Sequence, residues 1–172
     1  MKYNKIFGIG LPKTGTSSLA KAISILGYRV LHNPYEWRKN IYDKGLYQAP
    51  NDNWDVVCNF GEWNYPQFDR LYPGSCFILT LRPKDLWLET CKKWFGKTPG
   101  NENVRIDIFG TKVFSTEQFC FIYKEHYKTA IEYFSKRKDF LIFQEPFKWE
   151  PLCFFLEKPV PKMLYPWENK TI

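Results

Sequence analysis

No apolar run approaches the roughly 20 residues that a membrane helix needs. The most apolar stretch, residues 76–81, is far too short. Gly8 and Gly10 break up the segment that follows the charged residues 1–5, so no secretory leader is expected. The five cysteines, Cys58, Cys76, Cys91, Cys120 and Cys153, are odd in number and contain no C-x-x-C pair. That pattern argues against a disulfide framework and against a zinc site. A reducing, cytoplasmic setting with no membrane contact is the expectation. Repeats, low-complexity tracts and linkers are also missing. With 172 residues, the chain is expected to form a single domain over 1–172 with a core that needs no staples. At 44% hydrophobic and 25% charged, it is neither disordered nor fibrous.

What the chain does have is a basic excess and many aromatic rings. Its formal net charge is +7 and its pI about 9.1. A moderate basic balance suits an anionic ligand such as a nucleotide, an acidic sugar or nucleic acid. The basic residues are scattered rather than clustered, which disfavours nucleic acid. Aromatics make up 19% of the residues. Most are expected in the core. Trp37, Tyr42, Tyr47, Trp54, Trp63 and Trp94 lie in or beside irregular stretches, where a ring can also line a pocket or stack on a base.

Strand-like and helix-like segments alternate, which points to an α/β fold with a parallel sheet. Strands are expected at residues 5–9, 28–31, 54–59, 76–81 and 140–144. Helices are expected at 16–26, 34–45, 66–71, 84–94, 115–135 and 150–156. Asn33 reads as an N-cap before Pro34, and Ser115-Thr-Glu-Gln118 as a capping box. Residues 95–114 carry Gly96, Pro99, Gly100 and Gly110 and show no regular pattern. A long loop of that kind is often functional.

The strongest chemical signal is Gly8-Ile-Gly-Leu-Pro-Lys-Thr-Gly-Thr-Ser-Ser18, between the first strand and the first helix. A glycine-containing turn there aims backbone N–H groups at one anion, the helix N-terminus adds its dipole, and Thr14, Thr16, Ser17 and Ser18 add hydroxyls. It departs from the G-x-x-x-x-G-K-[ST] nucleotide loop. Thr16 stands where that loop has its lysine, and the lysine is displaced to Lys13. An NTPase also wants an acid at the end of an apolar strand to hold Mg²⁺. The third and fourth strands end in Cys58-Asn59 and Leu81-Arg82 instead.

Pro12-Lys-Thr-Gly-Thr-Ser-Ser18 resembles the 5′-phosphosulfate loop of sulfotransferases that use 3′-phosphoadenosine 5′-phosphosulfate (PAPS). Phe77-Ile-Leu-Thr-Leu-Arg82-Pro83 followed by Thr90 resembles that family's 3′-phosphate motif, an arginine at a strand end and a hydroxyl on the next helix. Two departures accompany it: Arg82 is followed directly by Pro83 where the family has Arg-Asp-Pro, and Thr90 replaces a serine. The C-terminal segments 140–144, 149–153 and 159–161 with Asn169 are similar to the closing strand, helix and tail of compact family members. The family's glycine-rich basic loop has no clear counterpart; Asn169 and Lys170 are weak candidates for it.

The resemblance implies an α/β, single-domain, P-loop-type parallel sheet of about five strands flanked by helices. It implies sulfuryl transfer from PAPS to a hydroxyl or amine of a small-molecule or carbohydrate acceptor, with PAP as product and no metal required. Pro12, Lys13, Thr14, Gly15, Thr16, Ser17 and Ser18 would hold the phosphosulfate, with Lys13 on the bridging oxygen. Arg82 and Thr90 would hold the 3′-phosphate. The acceptor must lose a proton as it attacks. Glu62, just past the third strand, is the first candidate base and His32, at the end of the second, is the next; His126 reads as a core or helix-face histidine. Two other readings stay open: a kinase with an atypical loop, and a binding protein that kept the nucleotide site without turnover. The acceptor's identity and the oligomeric state are not legible.

Overall fold

The computed structural model describes residues 2–60, 62–97 and 102–168. In chain order its elements are β1 (Ile6–Gly8), α1 (Thr16–Ile25), β2 (Val30–His32), α2 (Tyr35–Lys44), β3 (Val56–Cys58) and α3 (Tyr65–Leu71). They continue with β4 (Cys76–Leu81), α4 (Lys84–Lys97), α5 (Glu102–Phe109), α6 (Thr116–Phe134), β5 (Phe140–Gln144) and α7 (Trp149–Leu156). The five strands form one sheet in the order β2-β3-β1-β4-β5, and every neighbouring pair is parallel.

Successive strand residues point to opposite faces of a sheet, and both faces here are covered. Phe7, Val57, Phe77 and Leu79 pack against Trp37 of α2, Phe68 of α3, Trp87 of α4 and Phe119 of α6. Ile6, Val56, Cys58, Cys76 and Ile78 pack against Leu19 and Ile23 of α1 and Leu152 of α7. Double coverage explains why the strands read as continuous apolar runs. All five cysteines are free thiols. Among the described residues, no helix is long and apolar enough to cross a membrane.

Two local expectations are corrected. Residues 95–114 are not irregular throughout: α4 runs on through Gly96 to Lys97, and α5 occupies Glu102–Phe109. Ile108 and Phe109 anchor α5 in the core, and the Arg105 guanidinium lies 4.5 Å from the Phe95 ring centroid and donates to the Trp94 carbonyl at 3.1 Å. Gly110, at φ 65, ends that helix in the left-handed conformation suited to glycine. Gly96 is thus accommodated within α4 and Gly110 ends α5, while Pro99 and Gly100 lie outside the described residues. Asn33 is not the N-cap of α2, because that position belongs to Pro34. Asn33 adopts φ 54, and its Oδ1 accepts instead from Arg38 Nη2 at 3.1 Å.

The capping box of α6 is half made. Ser115 Oγ accepts from the Gln118 backbone at 3.4 Å. The Gln118 side chain turns away and donates to the Phe109 carbonyl at 3.0 Å, tying α6 to α5.

Candidate active site

The strand order places a topological switch point at the carboxyl ends of β1 and β3, since the chain leaves β1 toward β2 and leaves β3 toward β4. Open α/β sheets bind ligands in the crevice that such a reversal creates. The loop after β1 lies there, and it is shaped from beneath by residues far along the chain. Thr14 Oγ1 donates to the Leu11 carbonyl at 2.6 Å and sits 2.7 Å from Thr80 Oγ1. A hydroxyl has one proton, so Thr80 is the donor in the second bond. Tyr127 donates to the Thr80 carbonyl at 2.8 Å, and Trp87 to the Pro12 carbonyl at 2.8 Å.

His126 Nε2 donates to the Ile9 carbonyl at 2.9 Å. The ring is fully buried against Trp63 and Tyr127, and its Nδ1 has no hydrogen-bond partner. Burial holds its pKa down at about 4. It is a core histidine, as its place on the helix suggested.

Two glycines are required by this packing. A Cβ on Gly10 would run into Thr80, coming within 2.9 Å of its backbone nitrogen and oxygen. A Cβ on Gly15 would meet the Phe147 ring at a backbone φ of 94. Lys13 itself has φ 72, an uncommon conformation for a side-chain-bearing residue. Such strain persists only where the surroundings over-determine it. Here Thr14 on one side and Trp87 on the other pin the loop.

Gly15 is the N-cap of α1 and supplies no capping side chain. First-turn N–H groups have no intrahelical acceptor, and a helix N-terminus of this kind attracts an anion. A cavity of about 180 Å³ opens beside them, lined by Pro12, Lys13, Thr16, Ser17, His32, Asn33, Asn59 and Trp94. The Lys13 ammonium lies 4.9 Å from the Trp94 ring centroid. Burial lowers the Lys13 pKa, and the Cys91 thiol opposes that shift. His32 Nε2 is 3.5 Å from Ser17 Oγ. Burial lowers the His32 pKa too, which favours the neutral imidazole that can take a proton.

The expected site residues do not all converge. Lys13, Thr16, Ser17 and His32 share the cavity wall. Thr14 is buried and its hydroxyl points down into the loop's own bonds, so it is not a donor to the cavity. Ser18 is buried, and its Oγ accepts from the Glu168 backbone N–H at 3.0 Å. Asn169 and Lys170 lie outside the described residues.

Arg82 sits at the end of β4 with Nε 3.2 Å from Glu145 Oε2, and its carbonyl accepts from Tyr123 Oη at 2.6 Å. Thr90 donates to the Leu86 carbonyl at 2.8 Å, an ordinary helix back-bond.

Glu62 lies behind the cavity wall. It is 1% exposed, its Oε2 is 4.0 Å from Arg38 Nη1, and its Oε1 has no hydrogen-bond partner. Burial raises its pKa, and Arg38 opposes the rise. Arg38 went unnoticed in the sequence. It donates from Nη2 to the Asn59 carbonyl at 2.6 Å and to Asn33 Oδ1 at 3.1 Å, two residues of the cavity wall. A signal was present: Arg38 falls between Trp37 and Ile41, on the face of α2 that those apolar residues turn to the core.

The family described as sulfotransferase domain matches residues 5–106 and 100–172. A gluconokinase from Sinorhizobium meliloti 1021 is similar in its solved structure, with a TM-score of 0.40 and 15% identity over 83% of each chain. No curated protein matches the sequence.

Proposed function

Since the chain belongs to the sulfotransferase domain family, we propose that it transfers a sulfuryl group from PAPS to a hydroxyl or amine acceptor by in-line displacement. The observation that carries this reading is the cavity at the N-terminus of α1, where Lys13, Ser17 and His32 meet helix N–H groups that have no capping side chain.

The donor supplies the sulfuryl group and leaves as PAP, taking the electron pair of the broken sulfur–oxygen bond. The chain's own residues do the rest. The N–H groups of Thr16, Ser17 and Ser18 and the dipole of α1 hold negative charge at the loop. The Lys13 ammonium stabilises the charge that grows on the departing phosphate oxygen, an interaction stronger in the transition state than before it. Arg82 is the candidate for the 3′-phosphate, with Thr90 on the helix that follows; Arg82 faces Glu145 in an ion pair whose Nε and Oε2 make no hydrogen bond, and Thr90 would have to give up its bond to Leu86. The acceptor oxygen or nitrogen bonds to sulfur and yields its proton to a base.

His32 is the base that the cavity favours, because its ring stands in the wall and burial favours its neutral form. Glu62, the first choice from sequence, reaches the cavity only through Arg38 and its partners Asn33 and Asn59.

The test is calorimetric titration with PAP, beside ATP with Mg²⁺. Metal-independent PAP binding, weakened about tenfold or more in Arg82→Ala, is the expected result. Binding of Mg-ATP alone would overturn the reading in favour of a kinase.

A further inference from the structure

A second cleft opens next to the first, between α2 and α5. Its volume is about 160 Å³. Tyr35, Arg38, Lys39, Tyr42 and Asp43 of α2 line it opposite Ile106 and Asp107 of α5. Arg38 is 1% exposed, yet it forms part of this wall, and its Nε and Nη1 have no hydrogen-bond partner. A buried guanidinium with unmade bonds is costly unless something accepts them. The same guanidinium holds Asn33 and Asn59 of the Lys13 cavity, so one side chain separates the two spaces.

The groups around the cleft ask for a particular chemistry. Arg38 has donors to give and needs an acceptor oxygen. Asp43 and Asp107 are acceptors, with the Asp107 pKa raised by burial and by Asp43, and lowered by Arg38. Tyr35 and Tyr42 bring aromatic rings to the wall and are 55% and 40% exposed. The Tyr42 phenol, pushed up to about 12 by burial and by Glu62, stays a donor. Arg38 and Lys39 balance Asp43 and Asp107, so an anion would meet the two carboxylates and a cation the two basic side chains. A neutral ring whose hydroxyls both donate and accept, and whose C–H faces lie on tyrosine, satisfies all of them.

We propose that the α2–α5 cleft is the acceptor subsite and that it takes a neutral polyhydroxylated ring, a sugar unit, with the reacting hydroxyl on the Asn33–Asn59 side. Its role as acceptor site rests on the sulfuryl-transfer reading; the binding itself does not.

Saturation-transfer NMR on the full chain tests it. The probes are the methyl glycosides of glucose, galactose, mannose and N-acetylglucosamine, with phenol and methylammonium as controls. At least one glycoside is expected to bind, with affinity about tenfold weaker in Asp107→Asn and a few-fold weaker in Tyr35→Ala. Both side chains are at least partly exposed, and Tyr35→Ala keeps the test usable if Asp107→Asn perturbs α5. Absence of glycoside binding, binding unaffected by both variants, or tighter binding of either control would overturn the proposal. PAP calorimetry on the same samples separates the two readings. PAP binding without glycoside binding removes only the cleft; glycoside binding without PAP binding removes only the donor.

Discussion

Around the loop after β1, Lys13, Ser17 and His32 line an open cavity, whereas at the end of β4 Arg82 and Thr90 each lie against a neighbouring oxygen. Gly15 caps α1 with no side chain, and the Lys13 ammonium lies on the Trp94 ring with no carboxylate partner among the described residues. Arg82 faces Glu145 at 3.2 Å, and Thr90 donates to its own helix. The loop side is thus preorganised for an anion, and its groups need little rearrangement when one arrives. On the β4 side the Thr90 hydroxyl must exchange an existing partner, so its net contribution to binding is smaller, while Arg82 Nε, ion-paired with Glu145 without a hydrogen bond, still has a donor to give. The two halves of one expected site differ in how much of their interaction is already committed.

The largest effect expected from this contrast is at Lys13. Lys13→Ala should lower turnover with PAPS by about a thousandfold and leave the thermal unfolding temperature within a few degrees, because the ammonium serves the transition state. An active Lys13→Ala protein would erase the distinction between the two sides.

Next is the frame beneath the loop. His126 is neutral in the fold, with its pKa at about 4 against the usual 6.5, so the unfolded chain takes up a proton first as pH falls. Its stabilising contribution is complete above the unfolded value, shrinks as pH drops from there toward 4, and levels off below. The loss is on the order of 3 kcal/mol. Denaturant unfolding of wild type and His126→Gln at pH 7.5 and 4.5 checks it. Equal pH dependence in the two proteins would show that the loop's support does not run through this ring.

The base comes third. His32→Gln should slow the chemical step about a hundredfold and remove an acidic limb from the rate profile, since the base works only when deprotonated. Burial lowers the His32 pKa, so that limb should lie below pH 6.5, with activity rising as pH rises through it. Glu62→Gln should do less to the rate. If Glu62→Gln is the slower enzyme, the base lies behind the cavity wall and Arg38 opens in the complex.

The smallest effect is expected on the committed side. Thr90→Val keeps the shape and removes a hydroxyl that already satisfies Leu86, so PAP affinity should change less than about threefold by calorimetry. A tenfold loss would mean that Thr90 turns from the helix to the ligand, and that β4 is as ready as the loop.

Much of this frame was legible in the residues. The five strands, the loop from Gly8 to Ser18 and the helix after it follow from apolar runs and from glycine placement, signals local to each segment. Arg82 at a strand end was legible for the same reason. What escaped was set by distance in the chain. Thr14 looks like a ligand hydroxyl until Thr80, 66 residues on, turns it inward. His126 reaches Ile9 across 117 residues. Arg38 shows its charge in the sequence, but its partners Asn33 and Asn59 come together only when β2 and β3 pair. The helix α5 was hidden because Pro99, Gly100 and Gly110 flank it, and its anchor, Arg105 on Trp94 and Phe95, is a tertiary contact.

The sheet order also dictates a timetable. β1 leaves the ribosome before the other four strands, yet it lies between β3 and β4, so one of its edges waits for residue 58 and the other for residue 81. The loop that follows it waits longer, because Trp87, His126 and Tyr127 must arrive before its carbonyls and Thr80 are held. Non-local pairing of this kind is slow to form. The segment with the clearest chemical signature is therefore translated early and shaped late, and a nascent chain halted before α6 would carry the motif without its form.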